Sequence, residues 1–364
     1  MITLYGTPSS LYVGRARSYL IKAGIEYQEM PQMSAYFMES VLPKSGNRHG
    51  IPTIEFPDGV VIRDGVAIID HFEQLSGYSF SPTTPRQCIV SRLLDTIGAE
   101  GMLRPAMHYR WNFDQDNKEF IDFHFNITYS DAVERMRFIR EIVVPAWGVA
   151  PDAHELIESH YLETLQKLNA HFSDYPYFLG GKPSIGDFGM IAPLYGHLGR
   201  DPKPLSLMQK HAVRLFRWVE RMNRPESSLG EFSGMEQAYL SDDEVPDTLI
   251  AVLKHFAIDF VPESRAACDC INTWIDDNAD VAPLTEVERG VGTCEFEVQG
   301  VRLSADAQPF RFYVLKRLQD DFDALDEADQ ADVVEMLSAC NMREVLDLRL
   351  SRAIGRHNNL EVWL

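Results

Sequence analysis

Positive charge, paired cysteines and long apolar runs are all scarce in this 364-residue chain. With 34 Lys and Arg against 54 Asp and Glu, its formal net charge of -20 argues against nucleic acid or an anionic membrane as partner, because both reward clustered cations. The five cysteines, at positions 88, 268, 270, 294 and 340, form an odd, scattered set with no CxxC pair, which fits neither a disulfide scaffold nor a zinc or redox motif. Reduced thiols, no bound metal and a cytoplasmic location are therefore expected. The start "MITLYG" has no basic region and no apolar segment of signal length, and the run "IVVPAWGVA" is short and broken by proline. No targeting peptide or membrane span is expected.

What is present is ordinary for a globular protein: 45% hydrophobic and 24% charged residues, with length enough for two or three cored domains. Residues 1–80 read as α/β. Short strands at "ITLY", "EYQEM", "PTIEF" and "VVI" are interleaved with a helix over residues 11–23, a helix near "SAYFMESVL" and one beginning at Asp64, and the turn "PDG" between apolar runs signals a hairpin. Residues 85–225 read as all-helical, from "QCIVSRLLDTIGAEGML" through "DAHELIESHYLETLQKLNAHF" to "LMQKHAVRLFRWVERM". After the Gly/Ser/Pro-containing break "NRPESSLGEFSG", residues 230–364 read as a mostly helical extension with one hairpin, "CEFEVQGVRLS". Its apolar helices "DTLIAVLKHFAIDF", "ACDCINTWI" and "PFRFYVLKRLQ" predict that it folds and packs on the helical domain. "HELIESH" holds two histidines six apart, on different helix faces, and is read as a solvated helix rather than a zinc motif. "LGGKPS" lacks the upstream glycine of a phosphate loop.

The stretch "LYGTPSSLYVGRARSYLIKAG" (residues 4–24) runs from an apolar strand through two serines into a helix. Val13, Ala16, Leu20 and Ala23 recur at helical spacing and Gly24 suits a left-handed stop. A serine before a helix caps it. The same helix end concentrates free N–H donors and positive potential, and so favours a bound anion or thiolate. Capping and catalysis can share one serine. "SIGDF" carries a capping box, with Ser184 as cap and Asp187 at the third helical position. This pair is read as structural. "GIPT" puts Pro52 at a strand start, where its missing N–H is tolerated, with Ile51 held extended before it. In "RPAMHYRWNF" (residues 104–113), aromatic surface is combined with donors, which suits an apolar or aromatic substrate bearing an oxygen, although Met107 and Trp111 also fit a helical core.

Three stretches, "TPSSLYVGRAR", "GIPTIEFPDGVVIRDGVAIIDHFEQ" and "YFLGGKPSIGDFGMIAPLYGHL", in that order and spacing, resemble the cytosolic glutathione S-transferase superfamily, in particular its bacterial serine-type members. The resemblance covers residues 1–222. It implies a thioredoxin-like N-terminal domain, an all-α second domain, glutathione as co-substrate without a metal, and a homodimer. It further implies a cis bond between Ile51 and Pro52, leaving the Ile51 backbone to pair with an extended peptide like an added strand. Ser10 falls where the family carries its reactive cysteine or activating hydroxyl, with Tyr5 as a rival donor. Ser9, Tyr12, Ile51, Pro52, Asp64 and Gly65 fall in the glutathione site. Arg104, His108, Tyr109 and Trp111 are the expected electrophile pocket.

Asp64-Gly65 stands where the family usually has Glu-Ser. Losing that hydroxyl weakens a bond to the γ-glutamyl carboxylate by about 1.5–3 kcal/mol. The implied activity is binding of glutathione as thiolate and its transfer to a small apolar or aromatic electrophile. The alternatives are a glutathione-dependent lyase or isomerase, and a non-catalytic binding or scaffold protein that kept the fold. Lowering a thiol pKa from about 8.5 to about 6.5 requires about 2.7 kcal/mol. One hydroxyl hydrogen bond and the helix dipole supply most of it.

Overall fold

The computed structural model describes residues 1–226 and 230–364; Ser227, Ser228 and Leu229, inside the expected break, lie outside the described residues. The first domain is built on strands β1 (Ile2–Tyr5), β2 (Tyr27–Met30), β3 (Thr53–Glu55) and β4 (Val61–Arg63), with helices α1 (Leu11–Lys22) and α2 (Gly65–Ser76). The sheet order is β2-β1-β3-β4. Strand β2 runs parallel to β1, and the other two pairings are antiparallel, with Ile54 opposite both Leu4 and Ile62. The "PDG" hairpin closes through Gly59, whose φ of 85° needs a residue without a Cβ. Helix α1 stops before Gly24 in the left-handed region and buries Val13, Ala16 and Leu20. Arg15, off that stripe, is buried as well, paired with Asp95.

The second region is helical: α3 (Pro85–Thr96), α4 (Leu103–Trp111), α5 (Asp114–Asn126), α6 (Ala132–Phe138), α7 (Val144–Ala146), α8 (His154–Asp174), α9 (Ile185–Gly196), α10 (Pro202–His211) and α11 (Val213–Met222). A π-helical turn, Ile97–Gly101, joins α3 to α4. Helix α9 is the hub, touching α1 on one side and α3 on the other. A Cβ on Gly196 would lie 2.2 Å from the Leu11 Cα, so glycine sets how closely α1 and α9 approach. Its N-terminus is fixed by the capping box, in which the Ser184 N–H donates to Asp187 Oδ2 at 2.9 Å while Phe178 N–H and Trp218 Nε1 donate to Oδ1 at 3.2 and 3.0 Å.

The extension contains α12 (Asp247–Asp277), β5 (Thr293–Val298), β6 (Val301–Asp306), α13 (Pro309–Asp323), α14 (Glu327–Ala339), β7 (Ile354–His357) and β8 (Leu360–Trp363). It has two hairpins, β5–β6 and β7–β8, where one was expected. Its first two apolar segments form one 31-residue helix that runs through Pro262. A single apolar core joins Leu4 of the first strand, Leu168 and Trp218 of the helical domain, and Leu315 and Trp363 of the extension. Burial of those faces is what holds the extension in place.

Polar contacts set its register. Asp243 accepts from the N–H groups of Arg86 and Gln87 at 2.7 and 2.9 Å, capping α3, whose own Thr84 makes no cap. Arg104 and Arg311 share the buried Glu263, at 3.1 and 2.8 Å. The β7–β8 hairpin clasps the β4 edge. Its Asn359 amide donates to the carbonyls of Lys44 and Val61, both at 2.9 Å, and its Glu361 pairs with Arg63 at 2.7 Å and with Arg356 at 2.6 Å.

Candidate functional site

Ser10 occupies the N-cap of α1, with an extended backbone, and its Oγ accepts from Val13 N–H at a long 3.4 Å. A bond of that length satisfies the cap weakly and leaves the hydroxyl hydrogen free to donate. The turn before it is held from outside. Arg110 Nη1 donates to the Ser9 carbonyl at 2.9 Å, and Arg200 donates to that of Pro8. Arg110 is itself fixed by a two-pronged pair with Asp201, at 2.6 and 2.7 Å, and by the Gly196 carbonyl at 3.0 Å. Ser9 is buried beneath this arginine and Ser10 is half-buried.

Beside the serines lies the second part of the site. The Ile51–Pro52 bond is cis. Among the described residues, neither the N–H nor the C=O of Ile51 has a hydrogen-bond partner. Asp64, at φ 84°, caps α2 through Oδ1, which accepts from Val66 and Ala67 N–H at 2.8 and 3.4 Å. The Gly65 N–H has no partner among the described residues. A Cβ at Gly65 would sit 3.3 Å from Arg15 Cδ, 3.6 Å from the Tyr12 carbonyl oxygen and 3.7 Å from Pro52 Cγ, so these four residues meet at one point. The Tyr12 hydroxyl is pushed well above its ordinary pKa, by burial first and then by Glu100 and Asp64, with Arg289 opposing. Tyr12, Pro52 and Gly65 are thus brought together, with Ile51 and Asp64 as their chain neighbours, while Ser9 and Ser10 lie at the start of the same helix as Tyr12, against Arg110 near the end of α4.

The other expected residues are placed elsewhere. The Tyr5 hydroxyl donates to Glu55 Oε2 at 2.9 Å, and its ring is buried 4.9 Å from that of Phe37. Arg104 is committed to Asp259 and Glu263 of α12 and lines an apolar cavity of about 40 Å³ with Tyr161, His255 and Phe260. That volume holds a few waters at most. His108 pairs with Glu158 at 3.1 Å, Tyr109 stacks on Phe113 at 5.2 Å, and Trp111 packs on Phe125 at 5.4 Å. Their contacts run among the helices. From the same segment it is Arg110 that reaches the serine turn.

Sequence reasoning counted Arg110 only among the donors of "RPAMHYRWNF", without its link to the serine turn, and missed Glu100. Glu100 is buried in the π-turn after α3, its Oε2 has no hydrogen-bond partner, and its carboxyl is raised to about 8, by burial first and then by Asp64 and Glu263 against Arg311 and Arg15. Its signal was a lone acid in the small and apolar run "TIGAEGML". Arg289, Arg311 and Tyr313 come from the extension, where no family pattern guides a reading.

A four-stranded mixed sheet with its helices, followed by a helical domain against which the first helix packs through α9, defines a thioredoxin-like domain joined to an all-helical one. The family model "Glutathione S-transferase, N-terminal domain" matches residues 4–81, and "Glutathione S-transferase, C-terminal domain" matches residues 151–221. These two stretches are glutathione S-transferase domains, in the family's order. Residues after 221 lie outside both matches.

Among solved structures, the chain is similar to a glutathione S-transferase from Xanthobacter autotrophicus (17% identity, 61% of this chain and 92% of that one, TM-score 0.32). It is also similar to one from Methylobacterium radiotolerans in complex with glutathione sulfonate (15% identity, 67% and 99%, TM-score 0.38). A glutathione transferase family member from Pseudomonas fluorescens with two glutathione bound is similar at 16% identity (60% and 87%, TM-score 0.37). No curated protein matches the chain. No helix among the described residues is long and apolar enough to cross a membrane.

Proposed function

We propose that the chain binds glutathione as an extended peptide beside Ile51 and the N-terminus of α2, holds its sulfur as a thiolate near Ser10, and transfers it to a small apolar electrophile. The observation that carries this reading is the pair of unsatisfied backbone positions: the free N–H and C=O of Ile51 suit the cysteinyl part of the tripeptide as an added strand, and the free N–H of Gly65 suits a carboxylate at a helix start. Ser10 adds a neutral donor at the start of α1, where the dipole also favours an anion. Five free thiols fit a reducing cytoplasm.

Calorimetric titration with glutathione is the first test, and absence of heat at millimolar ligand sinks the reading in favour of a non-catalytic protein on the same fold. Ser10→Ala then examines the chemistry. The apparent pKa of bound glutathione, followed by thiolate absorbance, is expected to rise by about one unit or more, and conjugation of an aromatic electrophile at neutral pH to fall about tenfold. An unshifted pKa reduces Ser10 to a cap.

A further inference from the structure

Helix α12 of the extension packs along α8 of the helical domain, and two histidines cross that seam in opposite directions. His171 of α8 meets Thr248 of α12, Nδ1 to Oγ1 at 2.9 Å. His255 of α12 meets α8 with its Nε2, 3.0 Å from the His160 carbonyl and 3.1 Å from Thr164 Oγ1. The two His–Thr pairs are reciprocal, one heptad apart on antiparallel helices. His171 and His255 are 0% and 3% exposed.

A carbonyl oxygen only accepts, so His255 carries its hydrogen on Nε2 and its Nδ1 is a bare acceptor in the neutral ring. That Nδ1 has no hydrogen-bond partner, and the nearest polar group, Glu163 Oε1 at 3.5 Å, is also an acceptor. The Nε2 of His171 is unpartnered as well. A second proton there puts a buried charge beside the rings of Phe172, Tyr175 and Phe178. Burial holds the His171 imidazole down at about 4, against the backbone of Tyr177 and Phe178. It lowers His255 too, against the His160 backbone and Glu163, with the His160 ring and Lys167 adding to the lowering.

The seam also has room for water. The cavity of about 40 Å³ is lined by His160, Tyr161 and Thr164 of α8, by His255 and Asp259 of α12 and by Arg104 of α4, and the Tyr161 hydroxyl in it has no partner. A few waters fit there, beside His255. Around the other histidine, Asp174, Glu244 and Asp247 act on the neighbouring Tyr175. His160 ties the same stretch of α8 to Gln299 of the β5–β6 turn, at 3.1 Å.

We propose that the α8–α12 seam is a proton-operated joint, closed while His171 and His255 are neutral and opened locally when acid charges them. A histidine whose folded pKa is lowered costs stability as pH falls below the unfolded value of about 6.5. The joint therefore weakens between about 6.5 and the His171 value of about 4. The Arg63–Glu361 clasp and the Asp243 cap hold the extension at its other edges, so opening is confined to the joint.

Hydrogen exchange of the full chain at about pH 7.5 and about pH 5, with rates corrected for intrinsic exchange, tests the joint. Peptides from residues 160–172 and 247–260 are expected to lose about tenfold or more protection in acid relative to peptides of α1 and α9. The comparison must be local, because burial lowers His108 and His197 as well and acid weakens the whole fold through them. The double variant His171→Gln, His255→Gln is expected to remove the seam-specific loss. Should that variant fail to fold, nitrogen-detected titration of the histidines in the unaltered protein decides, with both rings expected neutral at about pH 6 and His255 protonated on Nε2. Seam protection that does not change with pH, loss spread evenly over the fold, loss that persists in the double variant, or either ring half-charged near 6.5 in the folded protein overturns the proposal.

Discussion

Glu361→Ala is the perturbation that most directly measures how firmly the extension is bound to the first domain. The Glu361 carboxylate sits between Arg63 at 2.7 Å and Arg356 at 2.6 Å, with Arg48 at 3.4 Å. Burial decides the size of the effect. An exposed pair is worth about 0.2–1 kcal/mol, but Arg63 and Glu361 have side chains only 8% and 5% exposed, and removing one partner of a buried pair costs about 3–5 kcal/mol because the other charge stays behind unpaired. The expected loss lies in that upper range, with Glu361→Gln costing less because one acceptor oxygen remains. Urea unfolding at pH 7, followed by tryptophan fluorescence, is well placed to detect it, since Trp363 stacks on Trp274 with ring centroids 5.5 Å apart.

The same carboxylate sets a pH dependence. Burial alone raises its pKa, but Arg63 and Arg356 outweigh burial and hold the folded value below the ordinary one. A depressed folded pKa means that the stabilisation is complete above the unfolded value of about 4.3 and is lost as pH falls through the folded value. Glu361→Ala is therefore expected to flatten the acid limb of the stability profile. A loss below about 1 kcal/mol together with an unchanged acid limb would refute the assignment of a buried clasp.

Arg110→Ala strands Asp201, which is fully buried, and is expected to cost about 3–5 kcal/mol in denaturant unfolding; a cost under about 1 kcal/mol argues that water replaces the guanidinium. Asp64→Ala removes the α2 cap for about 1 kcal/mol and is expected to raise the glutathione dissociation constant several-fold; unchanged calorimetric affinity leaves Asp64 as a cap alone. Truncation after Met222 uncovers the α3 and α8 faces that α12, α13 and α14 bury, and light scattering is expected to report aggregation. A monodisperse, equally stable product refutes the shared core.

The parts legible in the sequence are those whose cause is local. The α1 stripe, the "PDG" hairpin and the Ser184–Asp187 box each depend on residues within a few positions of one another, and each stands where its pattern put it. The apolar segments "DTLIAVLKHFAIDF" and "ACDCINTWI", separate in the sequence pattern, join in one helix through Pro262; proline breaks helices in isolation, but Phe260, Val261, Glu263 and Ser264 around it are all buried and the surrounding packing holds α12 continuous. The β7–β8 hairpin turns through Asn358 and Asn359 at φ 47° and 64°. Asparagine tolerates that region, but Asn-Asn is a weaker hairpin signal than Asn-Gly. Arg110 and Glu100 were illegible because their meaning comes from chain segments far away: Arg110 is defined by Ser9 and Asp201, and Glu100 by Asp64 and Glu263.

The clasp between Arg63 and Glu361 joins residues 298 positions apart. During synthesis at about 5–20 residues per second, the β4 edge waits roughly 15–60 s for the residues that cover it. Throughout that interval it is an open strand edge, able to pair with any extended segment nearby. A nascent chain of this protein is thus most vulnerable to strand-mediated association while its first domain is already formed, and variants that weaken the β7–β8 hairpin should show lower yield on expression before any change in ligand binding.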